Sequence, residues 1–310
     1  MHLISTFFDG SYRVGYRSRD YIFLIDKAYN HCCGREAPQY LHNMRSLLWE
    51  SEESFPMLEK INKEIKKILV ESDGYDVLIE EGVIRPISDI EIGPPVPNPG
   101  KIICIGQNYR DHCEEQNKPI PKNPILFSKF NNAIIGPDKD IIKPRITDKL
   151  DFEGELAFVM GKHCKNVSSH KAMDCIAGYT IFHDVSARDI QFGDRQWLRG
   201  KSFDTFAPMG PYLITADEVP DPHDLDIVTR VNDQIMQDSN TSNLIFNIPY
   251  LIEFITRAIP LEPGDIVATG TPAGVGVFRN PPVFLKPGDV VTIEIENLGV
   301  LQNRVVQEHI

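Results

Sequence analysis

The sequence predicts an α+β fold, in which a small N-terminal α+β domain precedes a larger, mainly-β domain. Three observations predict it. Residues 1–90 carry two strand-like runs followed by two helical patterns, a segment rich in proline and glycine comes next, and short β-like runs dominate the rest. Because few helical patterns separate these runs, a doubly wound sheet is not expected.

The N-terminal unit is predicted from apolar periodicity. The runs from His2 to Phe8 and from Tyr21 to Ile25 are typical of strands. Helical spacing then joins two apolar sets: Leu41, Met44, Leu47 and Leu48, followed by Leu58, Ile61, Ile65, Ile68 and Leu69. The segment IGPPVPNPG, residues 92–100, can continue neither a helix nor a central strand. We therefore predict domains at residues 1–95 and 96–310.

Short apolar runs punctuated by Gly, Pro, Asn and Asp characterise the second domain. The predicted strands are Ile102–Ile105, Leu156–Met160, Tyr179–His183, Tyr212–Thr215, Leu225–Val231, Asp265–Thr269 and Val290–Ile295. The clearest helical pattern joins Ile248, Leu251, Ile252 and Ile255.

Composition narrows the class of protein. The 310 residues carry a net charge of −12, which disfavours nucleic acid as a partner. No apolar run reaches the ~18–20 residues of a membrane span, and the first residues resemble neither a signal peptide nor a transit peptide.

The six cysteines form no C-x-x-C pair, so reduced thiols are expected. We predict an intracellular protein of the mitochondrial matrix or cytoplasm, without membrane partners.

Two carboxylates at alternate positions suggest a metal site. Glu153 and Glu155 lie in DFEGELAFVMG, and residues two apart share one face of a strand. Paired negative charges beside a buried run call for a cation, and oxygen ligands suit Mg²⁺. Carboxylates at the exposed end of a strand, paired with lysines, are an equally good explanation.

Asp184 strengthens the metal interpretation because it ends the apolar run of YTIFHDVSARD. His183 is adjacent and would point to the opposite face of a strand, so only one of the two can join the site. Asp184 completes a carboxylate triad, whereas His183 would indicate a softer metal such as Zn²⁺ or Fe²⁺.

His112 and Glu115 are a candidate acid–base dyad. They are three residues apart in NYRDHCEEQ, so on a helical turn they share a face and can form a hydrogen bond. A carboxylate that orients an imidazole is a recurrent general-base arrangement. A surface pair at the same spacing is the alternative, and Cys113 would diverge too far from His112 to act as a nucleophile.

Several cations and one loop could bind a substrate anion. Lys201, Lys129 and Arg188, with Gln191 close to the last, could clamp a carboxylate or stabilise an enolate oxygen. TGTPAGVG, residues 269–276, matches no nucleotide-binding motif, but its backbone amides and the Thr271 hydroxyl could approach a small anion. Solvated charges and an ordinary turn would also explain these residues.

Taken in order, these segments resemble one family. G-x-N-Y-x-x-H-x-x-E, E-x-E, H-D-x-[ST]-A-R-D, G-K-x-x-D-x-x-x-P-x-G-P and T-G-T-P-x-G-V-G, from about residue 100 onwards, are similar to the fumarylacetoacetate hydrolase superfamily. The resemblance implies a β-roll-like catalytic domain in a homodimer. It also implies Mg²⁺ as cofactor, with Mn²⁺ or Ca²⁺ as alternatives.

The resemblance also implies roles for the candidate residues. Glu153, Glu155 and Asp184 correspond to the metal ligands, and His112, Glu115 and Lys201 to the catalytic groups. Thr271, Lys129, Arg188 and Gln191 correspond to substrate-binding positions.

The implied activity is that of a Mg²⁺-dependent enzyme acting on small 2-oxo or 1,3-dicarbonyl acids through a metal-bound enolate. Keto–enol tautomerisation of oxaloacetate is the first expectation. Acylpyruvate-type C–C hydrolysis and oxaloacetate decarboxylation are alternatives because they share the enolate. A non-catalytic, metal-stabilised scaffold is a distant alternative.

Overall fold

Two large sheets contain most of the strands. The computed structural model describes residues 1–8, 10–70 and 74–309, and in it an eleven-stranded sheet packs against a five-stranded one. In chain order the strands are β1 His2–Phe8, β2 Ser11–Ser18, β3 Tyr21–Leu24, β4 Ile84–Pro86, β5 Ile102–Gly106, β6 Ile125–Lys129, β7 Ile134–Ile135, β8 Ile141–Lys143, β9 Leu150–Asp151, β10 Gly154–Met160, β11 Ile176–His183, β12 Ser186–Ala187, β13 Ala207–Thr215, β14 Asp226–Val231, β15 Gln234–Asn240, β16 Ile266–Ala268, β17 Val290–Ile295 and β18 Gly299–Gln307.

The helices are shorter and lie around these sheets. They are α1 Ile25–Cys33, α2 Met44–Trp49, α3 Ser51–Ile68, α4 Gly74–Glu80, α5 Arg110–Glu115, α6 Ser169–Ala172, α7 Arg188–Gly193, α8 Trp197–Lys201 and α9 Ile248–Thr256. The predicted α+β class is confirmed by this mixture.

The order of strands in the large sheet is β4-β3-β2-β1-β13-β11-β10-β16-β5-β6, with β7 paired to β13. The five-stranded sheet has the order β15-β14-β17-β18-β8. Every residue of β10, β11 and β13 is buried, because the five-stranded sheet covers one face of the centre of the large sheet. Strands buried on both faces are expected to be nearly continuous apolar runs, as these are.

The register between β10 and β11 positions the acidic residues. These strands are antiparallel, and Gly154 is paired with His183. Just beyond this pair, the backbone N–H of Asp184 donates to the carbonyl oxygen of Glu153 at 2.9 Å. Two carboxylates that are distant in sequence therefore emerge at the same end of the sheet.

The N-terminal strands continue the large sheet. His2 and Leu3 of β1 pair with Ile214 and Leu213 of β13. The proline-rich segment packs against β1, since the Ser5 hydroxyl donates to the carbonyl oxygen of Pro95 at 2.8 Å. The proposed division into residues 1–95 and 96–310 stays a prediction, and these contacts join the two parts through one sheet.

Some predicted strands have the observed bounds, and others differ from the structure. The runs His2–Phe8 and Val290–Ile295 are strands with those bounds. The predicted strand Tyr21–Ile25 ends at Leu24, because Ile25 begins α1. Strand β2 was not predicted, because Ser, Arg and Gly interrupt the apolar pattern of SYRVGYRS.

Within the described ranges, every helix is too short or too polar to cross a bilayer.

Candidate active site

Three buried carboxylates meet at one end of the large sheet. Glu153 immediately precedes β10, Glu155 lies in it, and Asp184 follows β11. One carboxylate oxygen from each residue lies within 4.8 Å of the other two. All three side chains are buried. Because carboxylate oxygens are the ligands that hard divalent cations prefer, this cluster could hold such an ion.

Two buried lysines neutralise part of this negative charge. Lys201, the last residue of α8, donates from Nζ to Glu153 Oε2 at 2.8 Å and to Asp184 Oδ2 at 2.6 Å. Lys129, at the end of β6, binds Asp184 Oδ1 and donates to the carbonyl oxygen of Val185 at 3.0 Å. Burial lowers the pKa of Lys129, whereas for Lys201 the neighbouring carboxylates outweigh burial and raise the pKa.

The two glutamates differ sharply in electrostatic environment. Burial alone would raise the pKa of Glu153, but Lys201 and Arg188 hold it below its usual value. Burial raises the pKa of Glu155 well above its usual value, and the nearby charges of Asp184 and Glu153 raise it further. Within the described residues, the Glu155 carboxylate accepts one hydrogen bond, from the Gly270 N–H at 2.9 Å. A bound cation would therefore compensate the charge of Glu155 most of all.

Arg188 links this cluster to a fourth buried carboxylate. Its guanidinium donates from Nη2 to Glu153 Oε1 at 2.6 Å and from Nε to Asp151 Oδ2 at 2.7 Å. Its Nη1 donates to Gln191 Oε1 at 3.0 Å. Asp151 was not predicted from the sequence, although it precedes Glu153 at the same alternate spacing. Asp151 also accepts the backbone N–H groups of Gly276 and Val277, at 2.8 and 3.0 Å.

Removal of the Asp151 carboxylate is expected to destabilise the fold. Asp151→Ala should lower the free energy of unfolding by about 3–5 kcal/mol, because it removes one buried partner of Arg188. Urea denaturation followed by circular dichroism measures the loss. Asp148→Ala is the matched control, since the Asp148 side chain is fully exposed. Equal stability of both variants would show that Asp151 is dispensable for the fold.

The candidate dyad lies on the short helix α5. His112 Nδ1 and Glu115 Oε1 are 2.6 Å apart, and the carboxylate implies that Nδ1 carries the proton. Glu115 Oε2 accepts the Gly274 N–H at 2.8 Å, and the Phe278 ring packs edge-on against His112 with 5.9 Å between centroids. Cys113 turns away and donates its thiol to the carbonyl oxygen of Gln107 at 3.7 Å.

The loop 269–276 contacts both the acidic cluster and the dyad. Gly270 has φ +102°, and an added Cβ would lie 3.0 Å from Ile105 O and from Asn108 Cβ. Glycine at this position therefore lets the loop approach closely enough for its N–H to reach Glu155. The Thr271 hydroxyl donates to Gly154 O at 2.9 Å and accepts from Gln237 Nε2 at 2.8 Å. Gln237, a buried residue that the sequence analysis missed, thus positions Thr271.

Most of the predicted site residues line one pocket. Seven of the ten residues predicted from the sequence form part of its lining: His112, Glu153, Glu155, Arg188, Gln191, Lys201 and Thr271. The other three lie behind this lining, where Glu115 contacts His112, Asp184 contacts Lys201, and Lys129 contacts Asp184. The lining also includes residues that the sequence analysis missed, namely Ile105, Gly106, Gln107, Gln116, Lys118, Phe127, Phe192, Trp197 and Phe278. The aromatic and amide side chains among them form no spacing pattern that would predict a place in the pocket, whereas Gly106 begins the motif G-x-N-Y-x-x-H-x-x-E.

The cluster has no histidine among its candidate ligands in the described part of the chain. Burial lowers the pKa of His183 to about 3, and the lysines add to this effect. Its imidazole is therefore neutral. The oxygen-only donor set favours Mg²⁺, Mn²⁺ or Ca²⁺ over the Zn²⁺ site considered above.

Comparisons with known proteins identify close relatives. The family model described as fumarylacetoacetate (FAA) hydrolase C-terminal matches residues 101–306. The chain is 53% identical over 225 residues to "Oxaloacetate tautomerase FAHD2A, mitochondrial" of Bos taurus, a match covering 72% of each chain.

Two solved structures resemble the chain over its whole length. The fumarylacetoacetate hydrolase of Exiguobacterium antarcticum has a TM-score of 0.80 and 30% identity, with 99% of this chain and 100% of that chain covered. The 2-hydroxyhepta-2,4-diene-1,7-dioate isomerase of Mycobacterium marinum has a TM-score of 0.73 and 32% identity, with 100% of each chain covered. The relatives thus include both hydrolases and isomerases by name.

Proposed function

Because the chain belongs to the fumarylacetoacetate hydrolase family and is an enzyme of it, we propose that it interconverts the enol and keto forms of oxaloacetate. The observation that carries this proposal is the 53% identity to a bovine protein named oxaloacetate tautomerase. The site supports it, since a buried acidic cluster, a lysine and an imidazole–carboxylate pair share one pocket.

We propose Glu153, Glu155 and Asp184 as ligands of a divalent cation, Mg²⁺ first and Mn²⁺ or Ca²⁺ as alternatives. The donor set fits such an ion because all its atoms are carboxylate oxygens within 4.8 Å of one another. Each carboxylate has about four lone-pair sites, so Lys201 can remain bound while the same residues hold a cation. When bound, the cation supplies a Lewis acid for the carboxylate and 2-oxo oxygens of the substrate.

The chain's own residues account for the proton movement. Hydrogen bonding of Nδ1 to Glu115 leaves His112 Nε2 available to the substrate. In the proposed reaction His112 Nε2 accepts the proton of the enol hydroxyl and the resulting imidazolium returns it to C3, so the keto form results without a change in composition. Lys201 adds positive charge beside the oxygen on which negative charge develops.

We propose that the remaining predicted residues hold the metal-binding carboxylates and the substrate in place. Thr271 lines the pocket with its hydroxyl held between Gly154 and Gln237, so it offers a fixed contact for a substrate oxygen. Arg188 and Gln191 line the same pocket, and Arg188 holds Glu153 in place. Lys129 acts as a positioning residue through Asp184.

Acylpyruvate hydrolysis is the second candidate. The similarity to a fumarylacetoacetate hydrolase favours it, and the same dyad could activate water for attack on a distal carbonyl carbon. Cleavage of acetylpyruvate would then consume one water and release pyruvate and acetate. Decarboxylation of oxaloacetate would use the same pocket and release CO₂.

Loss of the enol absorbance of oxaloacetate in the ultraviolet tests the choice among these reactions. We expect fast ketonisation that needs Mg²⁺ and stops with a chelator, together with little acetylpyruvate cleavage and little CO₂ release. Cleavage faster than ketonisation would replace the tautomerase by the hydrolase.

Two further properties are proposed from the family and its members. We propose a homodimer, which light scattering on the purified protein tests. We also propose a mitochondrial compartment, because the bovine relative is named as mitochondrial. Imaging of the tagged full-length protein tests this.

A further inference from the structure

Burial divides the pocket into a floor and a mouth. The floor consists of the buried residues Glu153, Glu155, Arg188 and Lys201. Gln107, Gln116 and Lys118, here called the mouth cluster, line the same pocket but reach solvent. The proposed reaction uses the floor and the dyad, and it assigns no role to the mouth cluster.

The mouth cluster contains the one cation of the pocket that has no acidic partner among the described residues. Arg188 and Lys201 are each bound to two buried carboxylates. Lys118 forms no ion pair within the described ranges. Its Nζ donates instead to the neutral Gln116 Oε1 at 2.8 Å. Its positive charge is therefore available to a ligand in the pocket.

The backbone holds this lysine at the pocket. The helix α5, which carries His112, ends in a turn with Asn117 at φ 51°. In that turn the Lys118 N–H donates to Cys113 O at 3.0 Å, the closure typical of a Schellman motif. Gln107 has φ 54°, an uncommon conformation for a residue other than glycine, and its Nε2 lies 3.4 Å from Gln116 Oε1. Left-handed residues of this kind cluster at functional sites.

The charge balance of the floor indicates which ligand group the mouth cluster would bind. Apart from the His112–Glu115 pair, the floor and its supporting residues contribute four carboxylates, Asp151, Glu153, Glu155 and Asp184. Three cations oppose them, Lys129, Arg188 and Lys201. The net charge of these seven groups is −1. A bound divalent cation changes it to +1, and the substrate carboxylate next to the 2-oxo group brings it to zero. A second carboxylate on the same substrate then needs a countercharge away from the floor.

We propose that Lys118, supported by Gln116, binds the second carboxylate of a dicarboxylic 2-oxo acid and selects such acids over monocarboxylic ones. This inference rests on the proposed function, because it assigns the substrate class of that site. Oxaloacetate and acetylpyruvate form the test pair, since a carboxylate in the first replaces an uncharged acetyl group in the second.

Binding is measured by fluorescence, independently of turnover. The chain has two tryptophans, of which Trp197 lines the pocket and Trp49 is exposed on α2. In a Trp49→Phe background with Mg²⁺ present, quenching of Trp197 reports the dissociation constant of each ligand. We expect Lys118→Gln to weaken oxaloacetate binding about fivefold, the value of a partly exposed ion pair, and to leave acetylpyruvate binding unchanged.

Matched variants isolate the charge of Lys118. Lys118→Arg should retain the preference for oxaloacetate, and Lys122→Gln, at a nearby exposed lysine outside the pocket lining, should change neither constant. Added salt should weaken oxaloacetate binding more in the parent protein than in Lys118→Gln.

The outcomes separate this inference from the proposed function. Equal weakening of both ligands by Lys118→Gln, or no weakening of either, overturns the role of Lys118 even if the enzyme ketonises oxaloacetate. A parent protein without preference for oxaloacetate overturns it as well. Selective weakening in a protein that does not ketonise oxaloacetate supports Lys118 and refutes the tautomerase.

Discussion

Replacing His112 with alanine is expected to lower kcat for oxaloacetate ketonisation by a factor of about 10²–10⁴, the usual contribution of a positioned general acid or base. The reason is geometric. His112 lines the pocket, and its Nδ1 is held 2.6 Å from Glu115 Oε1, which directs the other ring nitrogen to the substrate. Stopped-flow measurement of the enol absorbance with saturating Mg²⁺ gives the rate.

Two further variants of helix α5 test whether the loss of activity comes from the dyad. Glu115→Gln removes the charge that orients His112 and should lower kcat less than His112→Ala does. Glu114→Gln alters an exposed neighbour and should leave kcat unchanged. Full activity of His112→Ala, at an unchanged melting temperature, would remove the dyad from the mechanism and leave proton transfer to another group.

Replacing Glu155 with glutamine is expected to abolish the response of the protein to Mg²⁺. The affinity for the ion should fall by at least about 100-fold, because even residues that only support a metal ligand contribute 10–100-fold. The increase in melting temperature that Mg²⁺ gives the parent protein should disappear with it. Without Mg²⁺ the variant should be as stable as the parent or more so, since burial disfavours the charge of Glu155.

Glu153→Gln provides the contrast. This change leaves Lys201 and Arg188 with one buried acidic partner fewer each, so it should lower the free energy of unfolding by about 3–5 kcal/mol even without Mg²⁺. Thermal unfolding of both variants with Mg²⁺ and with a chelator measures the difference. If the two variants behave alike, the structural distinction between Glu153 and Glu155 is wrong.

The sequence was informative where a local pattern reflects the chemistry directly. Alternation in DFEGELAFVMG predicted that Glu153 and Glu155 share a face, and the ordered motifs predicted the family, which the comparisons confirm. The helical spacing of His112 and Glu115 predicted their hydrogen bond, because residues three apart on a helix are neighbours. The sequence was less informative about Asp151 and Gln237, whose partners lie far along the chain.

The sequence by itself determined the fold class and the family, and it predicted most of the acidic and basic groups at the site, although not Asp151 or Lys118. These follow from periodicity and motif order, which are local properties of the chain. The tertiary structure alone decided which carboxylate each cation binds. Glu153 and Glu155 are only two residues apart, yet the register of β10 with β11 and the position of α8 bring Lys201 to Glu153 and Asp184. Burial then places the uncompensated charge on Glu155, because electrostatic energy depends on distances in space and on exclusion of water.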